Sequence, residues 1–135
     1  MIADLNQPVL DAADGKFLPE EKVGISQAGA MALPFTEAEF DLLVCQFGVM
    51  FFPDKQASYH EAAQVLRAGG HYIFNTWGPM SANPFSAIAP QIVTRFFPDD
   101  PPGFYRVPFS CGDPVAAPGD LKSAGLKDSP LNHQG

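Results

Sequence analysis

Between Phe40 and Trp77 the chain reads FDLLVCQFGVMFFPDKQASYHEAAQVLRAGGHYIFNTW, and no other stretch restricts the fold as much. Leu42, Leu43, Val44 and Cys45 form an apolar run without alternation, the pattern of a strand covered on both faces. Pro53 suits the first turn of a following helix, and Asp54 places a negative charge at the positive end of its dipole. Tyr59, Ala62, Ala63 and Leu66 recur at i, i+3, i+4 and i+7, which gives that helix one apolar face to lay on a sheet. Gly69 or Gly70 can adopt the left-handed conformation that ends a helix, and Tyr72, Ile73 and Phe74 begin a second strand. Strand, crossover helix and strand are the unit from which parallel α/β sheets are built.

With 135 residues, one domain with a modest core is expected. Residues 1–78 read as its α/β core, and residues 79–135 as a Pro-rich helical and loop segment of the same domain. A net charge of −7 and eight scattered Lys and Arg residues argue against a surface for nucleic-acid phosphates, although a structured RNA is not excluded as a substrate. No apolar stretch approaches the length of a membrane span, and no basic segment leads into an apolar run at the start. Cys45, inside a strand, and Cys111, in a loop-rich region, read as reduced thiols, so a soluble, cytoplasmic protein is expected.

Taken in order, Ile2-Ala3-Asp4 resembles the last residues of a strand whose beginning is absent. Pro8–Ala13 suggests a short helix stopped by Gly15, and Val23–Gln27 a short strand followed by a small-residue loop, Ala28–Pro34. Phe35–Phe40 reads as a surface turn. Beyond Trp77, Phe85–Phe97 can form a helix that Pro90 distorts unless the helix starts there. Asp113-Pro114 and Pro118-Gly119 are expected to interrupt the remainder, with one helical turn over Asp120–Ala124 closed by Gly125. Ligands of open α/β sheets bind beyond the carboxyl ends of the strands, which here means Asp4, Gly29 to Met31, Gln46 to Phe52 and Asn75 to Gly78.

Four segments, in this order, resemble a class I S-adenosylmethionine (SAM) dependent methyltransferase of the small-molecule type. ADLNQPVLDAA is similar to that family's second strand and the helix after it, and SQAGAMALPF to its third strand and loop. FDLLVCQFGVMFFPD resembles the fourth strand with its site loop, and EAAQVLRAGGHYIFNTW the helix and fifth strand. The likeness extends loosely through NPFSAIAP, FFPDDPP and DLKSAGL. It implies a partial Rossmann-like, doubly wound α/β sheet that lacks the family's first strand and glycine-rich loop, since no G-x-G occurs. The resemblance also implies that the strands which usually close the sheet are missing after Ser129. Loss of a central strand leaves unpaired edges, so a homodimer, an element-exchanged oligomer or a complementary chain is expected.

The resemblance implies that Asp4 accepts hydrogen bonds from both ribose hydroxyls of SAM and that Leu5 packs on the adenine. The alternative for Asp4 is a helix cap or a surface acid near a terminus. Gly29 stands where the family usually has an Asp for the adenine amino group, a departure that weakens the nucleotide site. Ala30 and Met31 can offer a backbone N–H and an apolar contact, or form an ordinary loop. Gln46, Phe47 and Gly48 fall near the methionine end of the cofactor, and Gly48 permits close backbone approach. Met50, Phe51 and Phe52 line the acceptor side or belong to the core, and Asn75 and Trp77 reach a small-molecule acceptor or, for Trp77, cap the core. His60, His71 and His133 lack metal-ligand spacing, and a thiol buried as Cys45 is stays protonated. Two readings follow: a methyltransferase or a fragment of one, and a catalytically inactive remnant that serves as a dimeric binding or interaction module.

Overall fold

The computed structural model describes residues 1–111 and 116–127. Asp113-Pro114 and the stretch after Ser129 lie outside the described residues.

Among the described residues, four parallel strands are arranged as two separate pairs. β1 (Ile2–Asp4) runs into α1 (Gln7–Asp14), and β2 (Ile25–Gln27) returns beside β1 with Ile2 opposite Ile25 and Asp4 opposite Gln27. Pro8 occupies the start of α1, where a missing N–H costs nothing, and Leu10 is its buried anchor. The strand expected over Val23–Gln27 shortens to three residues. Gly15, the expected stop, closes α1 in a right-handed conformation.

The second pair joins β3 (Phe40–Gln46) and β4 (Leu66–Asn75), with α2 (Lys55–Val65) as the crossover. Asp54 is the cap of α2, its Oδ1 accepting from the Ala57 N–H at 2.9 Å, so Pro53 lies just outside the helix instead of in its first turn. Leu66 is already extended, and the helix passes directly into β4 without a glycine stop. The glycines expected there have another task. Between Phe40 opposite Leu66 and Leu42 opposite His71, β4 carries extra residues, and Gly69 at φ +84° allows the resulting bulge. A Cβ on Gly70 would stand 3.0 Å from the Arg67 carbonyl oxygen and 3.1 Å from that of Asp41, so the bulge also needs the bare backbone. Arg67 ties it down through Nη1 to the Asp41 carboxylate and Nε to the Ala38 carbonyl at 3.1 Å.

The core lies on one face of this pair. Leu43 is opposite Tyr72 and Cys45 opposite Phe74. Tyr59 of α2 stacks on Phe74 at 6.1 Å and meets Tyr72 edge-on at 6.5 Å, with Val49 and Ala124 buried beside them. Burial pushes the Tyr59 hydroxyl up to about 12 and raises Tyr72 further. The opposite face carries Leu42, Val44 and Ile73, exposed at 51, 62 and 56%. The expectation of a strand covered on both sides is therefore corrected: α2 and α4 pack on one face, and no described element packs on the other.

Beyond Trp77, a 3₁₀ turn over Pro84–Ala87 leads into α3 (Ile88–Phe96), with Pro90 in its first turn, where it leaves the helix undistorted. α4 spans Ala116–Ser123, so Pro118-Gly119 falls inside a helix and does not break the chain as expected. Position 118 lies in the first turn, where a backbone N–H has no intrahelical partner. Gly125 at φ +85° ends α4, with Gly125 N–H on the Lys122 carbonyl and Leu126 N–H on that of Leu121. Gln56 Nε2 donates to Asp120 Oδ1 at 2.6 Å, which fastens α4 to α2.

Candidate functional site

All four strands point the same way within their pairs, so the residues after each strand gather at carboxyl ends. At the end of β1, Asp4 is half-buried and its Oδ1 accepts from the Asn6 N–H at 2.8 Å. Its Oδ2 accepts no hydrogen bond among the described residues. The cap position of α1 is Asn6, so Asp4 itself is not the helix cap. Leu5 is 67% exposed, and its carbonyl is held by Gln27 Nε2 at 3.0 Å.

After β2, Ala28 N–H reaches the Asp4 carbonyl at 3.0 Å, and Gly29 to Ala32 form a tight turn closed by Ala32 N–H on the Gly29 carbonyl at 3.0 Å. A Cβ on Gly29 would lie 3.9 Å from Leu5 Cδ1. Asp4, Leu5, Gly29 and the exposed Met31 thus share one end of the first pair, with Ala30 at the head of the turn. The loop continues to Leu33, whose N–H donates to Glu61 Oε2 of α2 at 2.7 Å and so links the two strand pairs.

After β3 the backbone turns sharply at Phe47, φ +50°, an uncommon conformation for a residue with a ring. Asn75, at the end of β4, holds it there: Asn75 Oδ1 accepts from the Phe47 N–H at 2.8 Å. The turn delivers the Phe47 ring onto Trp77, stacked at 5.0 Å and 26°. Gly48 follows under tight constraint, since a Cβ there would stand 2.7 Å from Cys45 Sγ. Desolvation raises the Cys45 thiol and keeps it protonated at neutral pH.

The remaining residues separate. Met50 is buried at 1% and its carbonyl accepts from Ser110 Oγ at 3.2 Å, so it belongs to the core; Phe52 packs against the same core, while Phe51 is 56% exposed. Trp77 does not cap the core: it is 40% exposed. Sequence reasoning passed over Phe85 and Phe109, which extend the aromatic surface from Trp77; the only signal was their Pro-Phe context. No ladder joins β1 to β3 among the described residues. Open depressions of about 400 and 420 Å³ lie against α1 and α3.

Residues 1–74 match the family model described as a methyltransferase domain. The chain belongs to the methyltransferase domain family. A demethylmenaquinone methyltransferase of Lactobacillus johnsonii is 31% identical over 100 residues, a match that takes in 71% of this chain and 40% of that protein. An uncharacterised protein of Mycobacterium tuberculosis is 45% identical over 51 residues, 38% of this chain and 19% of its own length. In three dimensions the methyltransferase domain is similar to a SAM-dependent methyltransferase of Thermotoga maritima, with a TM-score of 0.70 at 15% identity over 93% of this chain and 54% of the other. It is similar also to the trans-methyltransferase CalH complexed with S-adenosylhomocysteine, TM-score 0.63 at 14% identity, covering 91% of this chain and 34% of CalH. The class I, Rossmann-like α/β fold is shared with these structures, and the chain spans about half or less of the relatives it matches. No helix among the described residues is long and apolar enough to cross a membrane.

Proposed function

We propose that this chain supplies the ribose side and the acceptor side of SAM-dependent methyl transfer to a small-molecule acceptor, in the cytoplasm. The observation that carries this reading is the convergence of Asp4, Leu5 and the Gly29 turn within one strand pair. Asp4 is half-buried, is placed beside an exposed apolar side chain, and keeps one carboxylate oxygen unpaired. That donor-poor, acceptor-bearing corner fits a ribose diol, and Leu5 with Met31 offers apolar surface to adenine. Gly29 contributes no side-chain acceptor, so the adenine amino group would be met by backbone alone. Gln46, Phe47 and Gly48 flank the methionine end, and Phe51, Asn75 and Trp77 the acceptor.

When bound, the cofactor supplies a methyl group already activated on a sulfonium, so the protein needs alignment more than acid–base chemistry. The chain's own contribution is to fix Phe47 against β4 and Gly48 against Cys45 of β3, and to present aromatic surface beside them. A small-molecule acceptor is supported by the relative whose name specifies demethylmenaquinone. The exposed face of Leu42, Val44 and Ile73 and the separation of the two strand pairs favour assembly with a second chain, as a homodimer or by exchange of elements. These same features also support a second reading, a dimeric binding module without turnover.

Calorimetric titration with S-adenosylhomocysteine separates the two readings. Heat of binding is expected with the wild-type chain, and Asp4→Ala is expected to weaken it by about 1 to 3 kcal/mol, the value of one or two hydrogen bonds. No heat at millimolar ligand would leave only the binding module.

A further inference from the structure

Two apolar faces of this chain lack a partner among the described residues. The first is the open side of β3 and β4, where Leu42, Val44 and Ile73 are exposed; strand alternation places Gln46, His71 and Asn75 on the same side, and no acid among them. The second belongs to α3. Ile88, Ile92 and Phe96 recur at i, i+4 and i+8, so they line one side of that helix, and they are 56, 50 and 75% exposed. No residue of α3 is counted among the buried ones, and the element it packs on is the 3₁₀ turn that precedes it. A nine-residue helix is marginal in water without tertiary packing.

The connection from β4 keeps α3 off its own sheet. Asn83 Nδ2 donates to the Gly78 and Pro79 carbonyls at 3.2 and 3.0 Å, and the buried Ser86 hydroxyl donates to the Asn83 carbonyl at 2.6 Å. Phe85 is set between Trp77 and Phe109, at 6.2 and 6.4 Å. These contacts pin the start of α3 beyond the strand ends, with its apolar stripe in solvent.

We propose that α3 of one chain docks on the open β3–β4 face of a second copy, and that the contact is reciprocal about a two-fold axis. The proposal rests on the assembly put forward above and adds which element covers which face; it does not depend on cofactor binding. Parallel strands are ordinarily covered by helices on both faces, and α2 already covers the other face of this pair. The occupant is a second copy because one chain carries both halves of the contact, a bare sheet face and a bare helix face, and a two-fold axis satisfies both at once. With roughly 100 Å² of exposed surface on each of the six apolar side chains, two reciprocal contacts cover roughly 1,200 Å², the lower end of a stable specific interface. Arg95 is the one charged residue of α3, so the net charge of −7 is not concentrated where the copies meet.

Mixing ¹³C-labelled with unlabelled protein and recording isotope-filtered NOEs tests the contact in the wild-type chain. Interchain NOEs are expected between the methyl groups of Ile88 and Ile92 on one chain and those of Leu42, Val44 and Ile73 on the other; their absence overturns the proposal. In sedimentation equilibrium, Ile92→Asp and Val44→Lys are each expected to weaken self-association by about ten-fold or more. Mixing the two variants is expected to restore the dimer, because one helix–sheet contact is then unaltered and the other sets the introduced carboxylate against the introduced ammonium. A dimer that Ile92→Asp leaves intact, or mixed variants that stay monomeric, overturns docking by α3. The first of these results leaves assembly through the sheet face standing, whereas a monomeric wild-type chain removes both.

Discussion

Gly48 shows how tightly single residues are set at this site. Its absent side chain leaves room for Cys45 Sγ, and a methyl group placed there would overlap the sulfur at 2.7 Å. Gly48→Ala is expected to destabilise the fold by about 1 to 3 kcal/mol as an overpacked position, measured by urea unfolding. An accompanying Cys45→Ala substitution is expected to recover part of the loss, because it removes the atom that is struck. Gly48 was legible in the sequence as a place of close approach, but the partner was not: the reading expected a ligand there, and the neighbouring atom is a thiol three residues earlier. Asp4 was legible as the last residue of a strand. Phe47 was named, yet its left-handed turn and its dependence on Asn75 were not, because a long-range hydrogen bond across 28 residues leaves no local signature.

At the scale of elements, β3, α2 and β4 follow the sequence pattern closely, since a strand–helix–strand crossover is written in apolar periodicity and in the cap at Asp54. The Gly69-Gly70 pair was read as a helix stop because glycine after an apolar helix usually is one. It serves instead as a bulge, a feature set by strand register and invisible without the partner strand. The packing of α2 on β4 makes its own prediction through Tyr59 and Tyr72. Both hydroxyls are raised by burial, so the folded state holds their protons more tightly than the unfolded chain does. Their contribution is fully present below the ordinary tyrosine value near 10 and is lost as pH rises towards about 12 for Tyr59. Thermal unfolding followed by circular dichroism is expected to show a steady fall in melting temperature from about pH 10 upward, and Tyr59→Phe to flatten part of that fall.

For the whole molecule, the parallel α/β class was legible, but among the described residues the sheet divides into two pairs with no ladder between them. The apolar run in β3 was read as doubly covered because sequence reports the preference of a strand, not which neighbours are present. Leu42, Val44 and Ile73 record that preference unmet. Sedimentation equilibrium is expected to show a species heavier than 14.5 kDa, and Val44→Lys, which places a charge on that face, to shift it towards monomer. A monodisperse wild-type monomer that melts cooperatively would contradict assembly through this face. If the strand-end loops form the cofactor side of a methyltransferase site, titration with S-adenosylhomocysteine moves their backbone amide resonances. Shifts are predicted at Asp4 and Leu5, at Gly29 to Met31 and at Gln46 to Gly48; no shifts, or shifts confined to the α1 depression between Pro8 and Phe17, would contradict it.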